Sequence, residues 1–154
     1  MPATSVMTVT TNQLKLLAAL LWYSGGVVLF FKGRSLLLAA DALAPDSQWF
    51  WLAILIGIFI GLLKVIFIFR KVCRKNLTRI YALSQPKIWQ FYRTGFYIFL
   101  TCMIVLGSSL SHAAQGDFTF LICMAILDFS LSVALLGSSY VFWIYKQPAN
   151  QQAE

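Results

Sequence analysis

Two charged side chains set in long apolar runs are the residues most able to do chemistry in this sequence. Lys64 stands inside Trp49–Phe69, and Asp128 stands near the middle of Phe118–Tyr145. A charge at the centre of a membrane helix costs about 2.5–3.5 kcal/mol on insertion scales, so such groups pair with one another or line a hydrated pocket. Once paired they carry protons, ions or a charged substrate group, or they fix helix register. Counted from the span centres, the two differ in depth by on the order of 10 Å at about 1.5 Å per residue, a gap that the reach of lysine narrows. Direct contact and a water bridge both remain open. With no second acid inside the spans, a structural role weighs more than transport for a Lys64 and Asp128 centre.

The remaining reactive types offer less. His112 is the single histidine and has no companion ligand in sequence, so an interfacial hydrogen bond suits it better than a metal or pigment. The three cysteines, Cys73, Cys102 and Cys123, form no C-x-x-C pair and read as small hydrophobes. Leu106-Gly107-Ser108-Ser109 recurs as Leu136-Gly137-Ser138-Ser139, but the copies fall at different depths of opposed helices, and neither serine has a base at nucleophile spacing. Chance use of small packing residues accounts for the echo. No metal site, cofactor or catalytic set is expected, and no family motif covers the chain.

The elements that position Lys64 and Asp128 follow from composition and hydropathy. The chain of 154 residues is 60% hydrophobic and 11% charged, which excludes a soluble globular domain and makes the bilayer its core. Its formal charge of +7 lies beside the apolar runs, as in membrane-protein loops, which excludes nucleic acid as a partner. The expected fold is all-α: one membrane domain, an antiparallel bundle of four transmembrane helices with a short interfacial helix after the first. The spans are set at about 14–31, 49–69, 95–111 and 118–145.

In span two, Ala53, Gly57 and Gly61 recur every fourth residue, and Lys64 follows on the same face, so that another backbone can approach closely there. On span four, Ala125, Asp128, Ser132 and Ser139 share a stripe, which lets spans two and four pack with their charges between them. In span one, Gly25 and Gly26 permit a close contact or bend beside Trp22 and Tyr23, whose polar atoms then need partners near mid-membrane. A signal peptide cut after Ala44 is disfavoured by the intervening Lys32 and Arg34 and by Pro45. Sliding span one to Ser24–Ala44 would bury Lys32 and Arg34 together, and at about 2.5–3.5 kcal/mol each that register loses to one ending at Phe31. Ser35–Ala44 is then too short to span and becomes the interfacial helix.

The connection 70–94 is the most basic part, with Arg70, Lys71, Arg74, Lys75 and Arg79 on a helical continuation of span two. A break follows at Gln85-Pro86, and Trp89, Phe91 and Tyr92 mark an interface before span three. These cations are candidates for contact with anionic lipid headgroups or an acidic partner. Nine lysines and arginines in the N-terminal segment, this connection and the C-terminal tail, against two in the other loops, put both termini and the connection in the cytoplasm, in a bacterial inner membrane or its equivalent. Both polar tails are expected to be flexible.

Three functions fit: a non-enzymatic accessory or assembly subunit that binds other membrane proteins or itself laterally, a small oligomeric transporter or channel using Lys64 and Asp128, and a lipid-modifying enzyme at the basic surface. The small-residue faces, aromatic belts and basic platform favour the first. The enzyme lacks a catalytic constellation.

Overall fold

The computed structural model describes residues 10–45, 48–82 and 94–145, without the side chains of 94, 96, 97, 99 and 100. The polar tails, Asp46, the Gln85-Pro86 break and the aromatic group Trp89, Phe91 and Tyr92 lie outside the described residues. Among those described, all regular structure is helical: α1 (Thr11–Leu43), α2 (Trp49–Lys64), a π-helical turn (Val65–Phe69), α3 (Arg70–Tyr81), α4 (Thr94–Ala113), α5 (Phe118–Ser138) and the short α6 (Val141–Ile144). Three stretches are long and apolar enough to cross a membrane: Thr11–Leu43, Trp49–Tyr81 and Phe118–Ile144.

One expected element is absent. No separate interfacial helix follows the first span, because Ser35–Leu43 continues α1 without a break. Lys32, Gly33 and Arg34 interrupt the hydropathy but not the backbone, and a single glycine costs a helix only about 1 kcal/mol, which packing along the same face offsets. The expected continuation of span two is present as one rod from Trp49 to Tyr81. Its inward stripe of Ala53, Gly57, Gly61, Val65, Cys73 and Leu77 keeps near a four-residue period. On an ideal α-helix each such step overshoots by about 40°, and the wider π turn removes part of that drift, keeping both halves of the rod turned inward.

α5 is the centre. Half of its most apolar window is buried, against 28% for α1 and 22% for the α2–α3 rod. Glycines set its two principal contacts. Gly25 faces Leu135 while Gly33 faces Phe129 and Asp128, so α1 runs antiparallel to α5. Gly57 meets Phe129, Gly61 meets Ser130 and Val133, and Gly137 meets Val65, so α2 runs parallel to it. An added Cβ at Gly61 would stand 2.8 Å from the Ser130 carbonyl oxygen, a distance that only a missing side chain permits.

Two apolar clusters form along these seams. One gathers Leu14, Ala18 and Trp22 of α1, Cys73, Leu77 and Ile80 of α3, and Phe142 of α6. The other gathers Leu37 and Ala40 of α1, Ala53 of α2, Leu121, Ala125 and Phe129 of α5, and Ala114 after α4. Between them lies a layer of polar side chains.

Candidate functional site

The polar layer contains Lys32 from α1, Lys64 from α2, and Asp128, Ser130 and Ser132 from α5; these three α5 side chains are buried. The antiparallel seam determines who meets whom. Because Gly33 lies against Asp128, the preceding residue Lys32 arrives at the same level, and its Nζ stands 3.6 Å from Asp128 Oδ2. This is the one ion pair among the described residues. The same ammonium donates a hydrogen bond to the Gly107 carbonyl of α4 at 3.0 Å.

In sequence, Lys64 is the cation whose contact with Asp128 is open; in the structure Asp128 takes its cation from Lys32. Lys64 Nζ donates instead to Ser130 Oγ at 3.0 Å, and that hydroxyl donates to the Leu127 carbonyl at 2.8 Å. Side chains on a helix lean toward its N-terminus, so Lys64 reaches back along α2 toward the level of Gly61 and Ser130. Both lysines therefore converge on one turn of α5. Ser132 Oγ completes the layer by donating to the Gly26 carbonyl of α1 at 2.7 Å.

The expected packing glycines, Gly25 and Gly26 of α1 and Gly57 and Gly61 of α2, all face α5. Gly26 would place a Cβ 2.7 Å from Leu136 Cγ, Gly57 one 2.8 Å from Phe129 Cβ, and Gly25 makes an ordinary contact with Leu135 at 3.4 Å. Ala53 is buried in the second cluster. The echoed Leu-Gly-Ser-Ser segments do different work: Gly107 offers its carbonyl to Lys32, whereas Gly137 admits Val65. Tyr23 accepts a hydrogen bond from Trp143 Nε1 at 3.3 Å, and Trp22 packs edge-on to Phe69 and Phe142.

The basic residues of α3 form a second feature. Cys73, Leu77 and Ile80 turn inward, which leaves Arg70, Lys71, Arg74, Lys75 and Arg79 around a cavity of about 760 Å³ that Tyr145 closes on one side. Thr78 Oγ1 donates to the Arg74 carbonyl at 2.9 Å, so the 2.9 Å contact between Thr78 and Tyr145 is a hydrogen bond from the tyrosine hydroxyl.

In the sequence Lys32 counts only as a cost at the end of span one, and nothing there singles out Ser130 or the Gly107 carbonyl as its neighbours in the layer. The signal for Lys32 was present: a glycine beside a lysine in an otherwise apolar run permits the close approach that brings the lysine to a facing acid. Comparison with known protein families, with curated proteins and with solved structures found no match.

Proposed function

We propose that this is a small, non-enzymatic integral membrane accessory subunit, a four-span antiparallel bundle that associates laterally with another membrane protein. In this reading the bilayer is centred on the polar layer. Gly33 of α1 and Gly57 of α2 both meet Phe129, so a membrane crossed by Trp49–Phe69 cuts α1 around Lys32, not before it. This register differs from one ending at Phe31, and the carboxylate of Asp128 offsets the cost that stood against it. Tyr23 then lies at an interface beside Trp143, where such rings are enriched, while Trp22 is buried against Phe69 and Phe142 with its Nε1 lacking a hydrogen-bond partner among the described residues. The lysine and arginine bias turns α3 and both termini to the cytoplasm.

The observation that carries the reading is Arg34. It is exposed on α1, two residues from the paired Lys32, and no carboxylate lies within ion-pair distance of it among the described residues. In hydrocarbon such a cation costs about 2.5–3.5 kcal/mol, and an acid on a neighbouring protein's helix at that depth offsets it. The outward faces of α1 and α4, with Val28, Phe31, Ile104, Val105 and Leu106 exposed, supply lateral contact area. Gentle extraction of the native protein followed by mass spectrometry tests this. A partner in fixed ratio, lost in Arg34→Leu and kept in Arg34→Lys, is the expected result. A chain that extracts alone or only with copies of itself contradicts it.

One observation favours a second reading, a transporter or channel: Asp128 Oδ2 is buried and has no hydrogen-bond partner among the described residues. A hydrated path along Lys32, Asp128 and Lys64 would supply one. Proton or ion flux in vesicles that is abolished by Asp128→Asn would establish that reading in place of the first.

A further inference from the structure

The cavity on α3 is chemically uneven, and that unevenness selects a ligand. Around it stand Arg70, Lys71, Arg74, Lys75 and Arg79, and no acid pairs with any of them among the described residues. At its other end the walls are Ile66 and Phe67 of the π turn, and Phe67 is 72% exposed. Arg79 adds a specific mark: its Nη1 is buried yet has no hydrogen-bond partner among the described residues. A buried guanidinium nitrogen left without an acceptor costs free energy, and a turn of the Arg79 side chain, which lines the cavity, would bring that nitrogen to an anionic oxygen held there. The space, about 760 Å³, is an open groove along α3 and not an enclosed cavity, so a ligand in it keeps one side free.

We infer that this cavity is a binding site for one anionic phospholipid, its phosphate held among the arginines and lysines of α3 with Arg79 as the anchoring donor, and the start of its acyl chains laid along Ile66 and Phe67. A free phosphate shares the charge chemistry but has no use for the apolar wall. A diffuse basic surface would attract anionic lipid with about 1 kcal/mol per cation and no preference among them. The orphaned Arg79 nitrogen distinguishes a built site from such a surface. Tyr145 frames the cavity through its bond to Thr78 and its stacking on Tyr81 at 6.1 Å, which ties the end of α6 to the lipid-binding face.

The inference rests on α3 lying at a bilayer surface but not on any protein partner. The test is calorimetry on the full chain in a zwitterionic detergent, titrated with short-chain phosphatidylglycerol, with the matching phosphatidylcholine and with inorganic phosphate. Saturable binding of one phosphatidylglycerol per chain is expected, at least tenfold tighter than the other two. Arg79→Gln should weaken it tenfold or more, whereas Lys15→Gln, which removes a cation seated over Trp143, should change it less than twofold. Helix content and melting of Arg79→Gln serve as its folding control; if that variant misfolds, the exposed Lys75→Gln decides, with a severalfold loss expected. Equal affinity for phosphatidylcholine, equal affinity for inorganic phosphate, or the same loss from Lys15→Gln as from Arg79→Gln would each overturn the proposal. Loss of a protein partner in Arg34→Leu leaves this binding intact, so the two readings fail separately.

Discussion

α5 and α4 are both apolar helices of about twenty residues, yet they are held in different ways. α5 is gripped on two sides: glycines of α1 and α2 bring those backbones against it, and Lys32, Lys64 and Gly26 bond to its polar side chains. α4 leaves Ile98, Ile104, Val105, Leu106 and Leu110 exposed, and a hydrogen bond from Lys32 to the Gly107 carbonyl joins it to the rest. Hydropathy alone does not separate the two. In lipid the hydrophobic effect gives helices no reason to associate, so close backbone approach and polar pairing decide which ones pack. By that criterion α1, the α2–α3 rod and α5 form the core, and α4 is available to a neighbour.

Substitutions that treat the two helices alike should give unlike results. Asp128→Leu strands the ammonium of Lys32 and should cost about 3–5 kcal/mol, whereas Leu106→Ala on the open face of α4 should stay within about 0.5 kcal/mol; reversible unfolding in mixed detergent measures both. Gly61→Ala drives a methyl to 2.7 Å from Val133 Cβ and 2.8 Å from the Ser130 carbonyl, a loss of about 1–3 kcal/mol. Gly95→Ala on α4 meets nothing within 4 Å and should stabilise the protein by up to about 1 kcal/mol through helix propensity. A Gly95→Ala loss as large as that of Gly61→Ala would show α4 packed as tightly as α5 and break the contrast. Ser132→Ala removes the bond to the Gly26 carbonyl and should cost about 0.6 kcal/mol, the average for polar contacts between membrane helices.

Much of the core was legible in the sequence. Ala53, Gly57 and Gly61 announced a packing face, the stripe of Asp128 and Ser132 announced its counterpart, and the amphipathic pattern after Phe69 announced α3. What the sequence does not show is that a local cost has a distant remedy. Taken alone, the expense of Lys32 as a lone cation in hydrocarbon argues for ending the first span at Phe31. In the fold, Gly33 lets α5 approach and Asp128 stands opposite, so the expense is shared by a pair. No periodicity within α1 encodes that, because the compensating residue lies ninety-six positions away and is found only once the helices are laid antiparallel. The choice between Lys32 and Lys64 was hidden for the same reason: both converge on one turn of α5, and helix direction decides which reaches the carboxylate and which the Ser130 hydroxyl.

The most direct test of this arrangement is a pair of double-mutant cycles on unfolding free energy, one with Lys32→Met and Asp128→Leu, the other with Lys64→Met and Asp128→Leu. For the first pair, the double variant should be less costly than the two single changes summed, with a coupling of about 1.5–3 kcal/mol, and the second pair should couple by less than half as much. Strict additivity of Lys32 and Asp128, or a stronger coupling of Asp128 to Lys64, would contradict it.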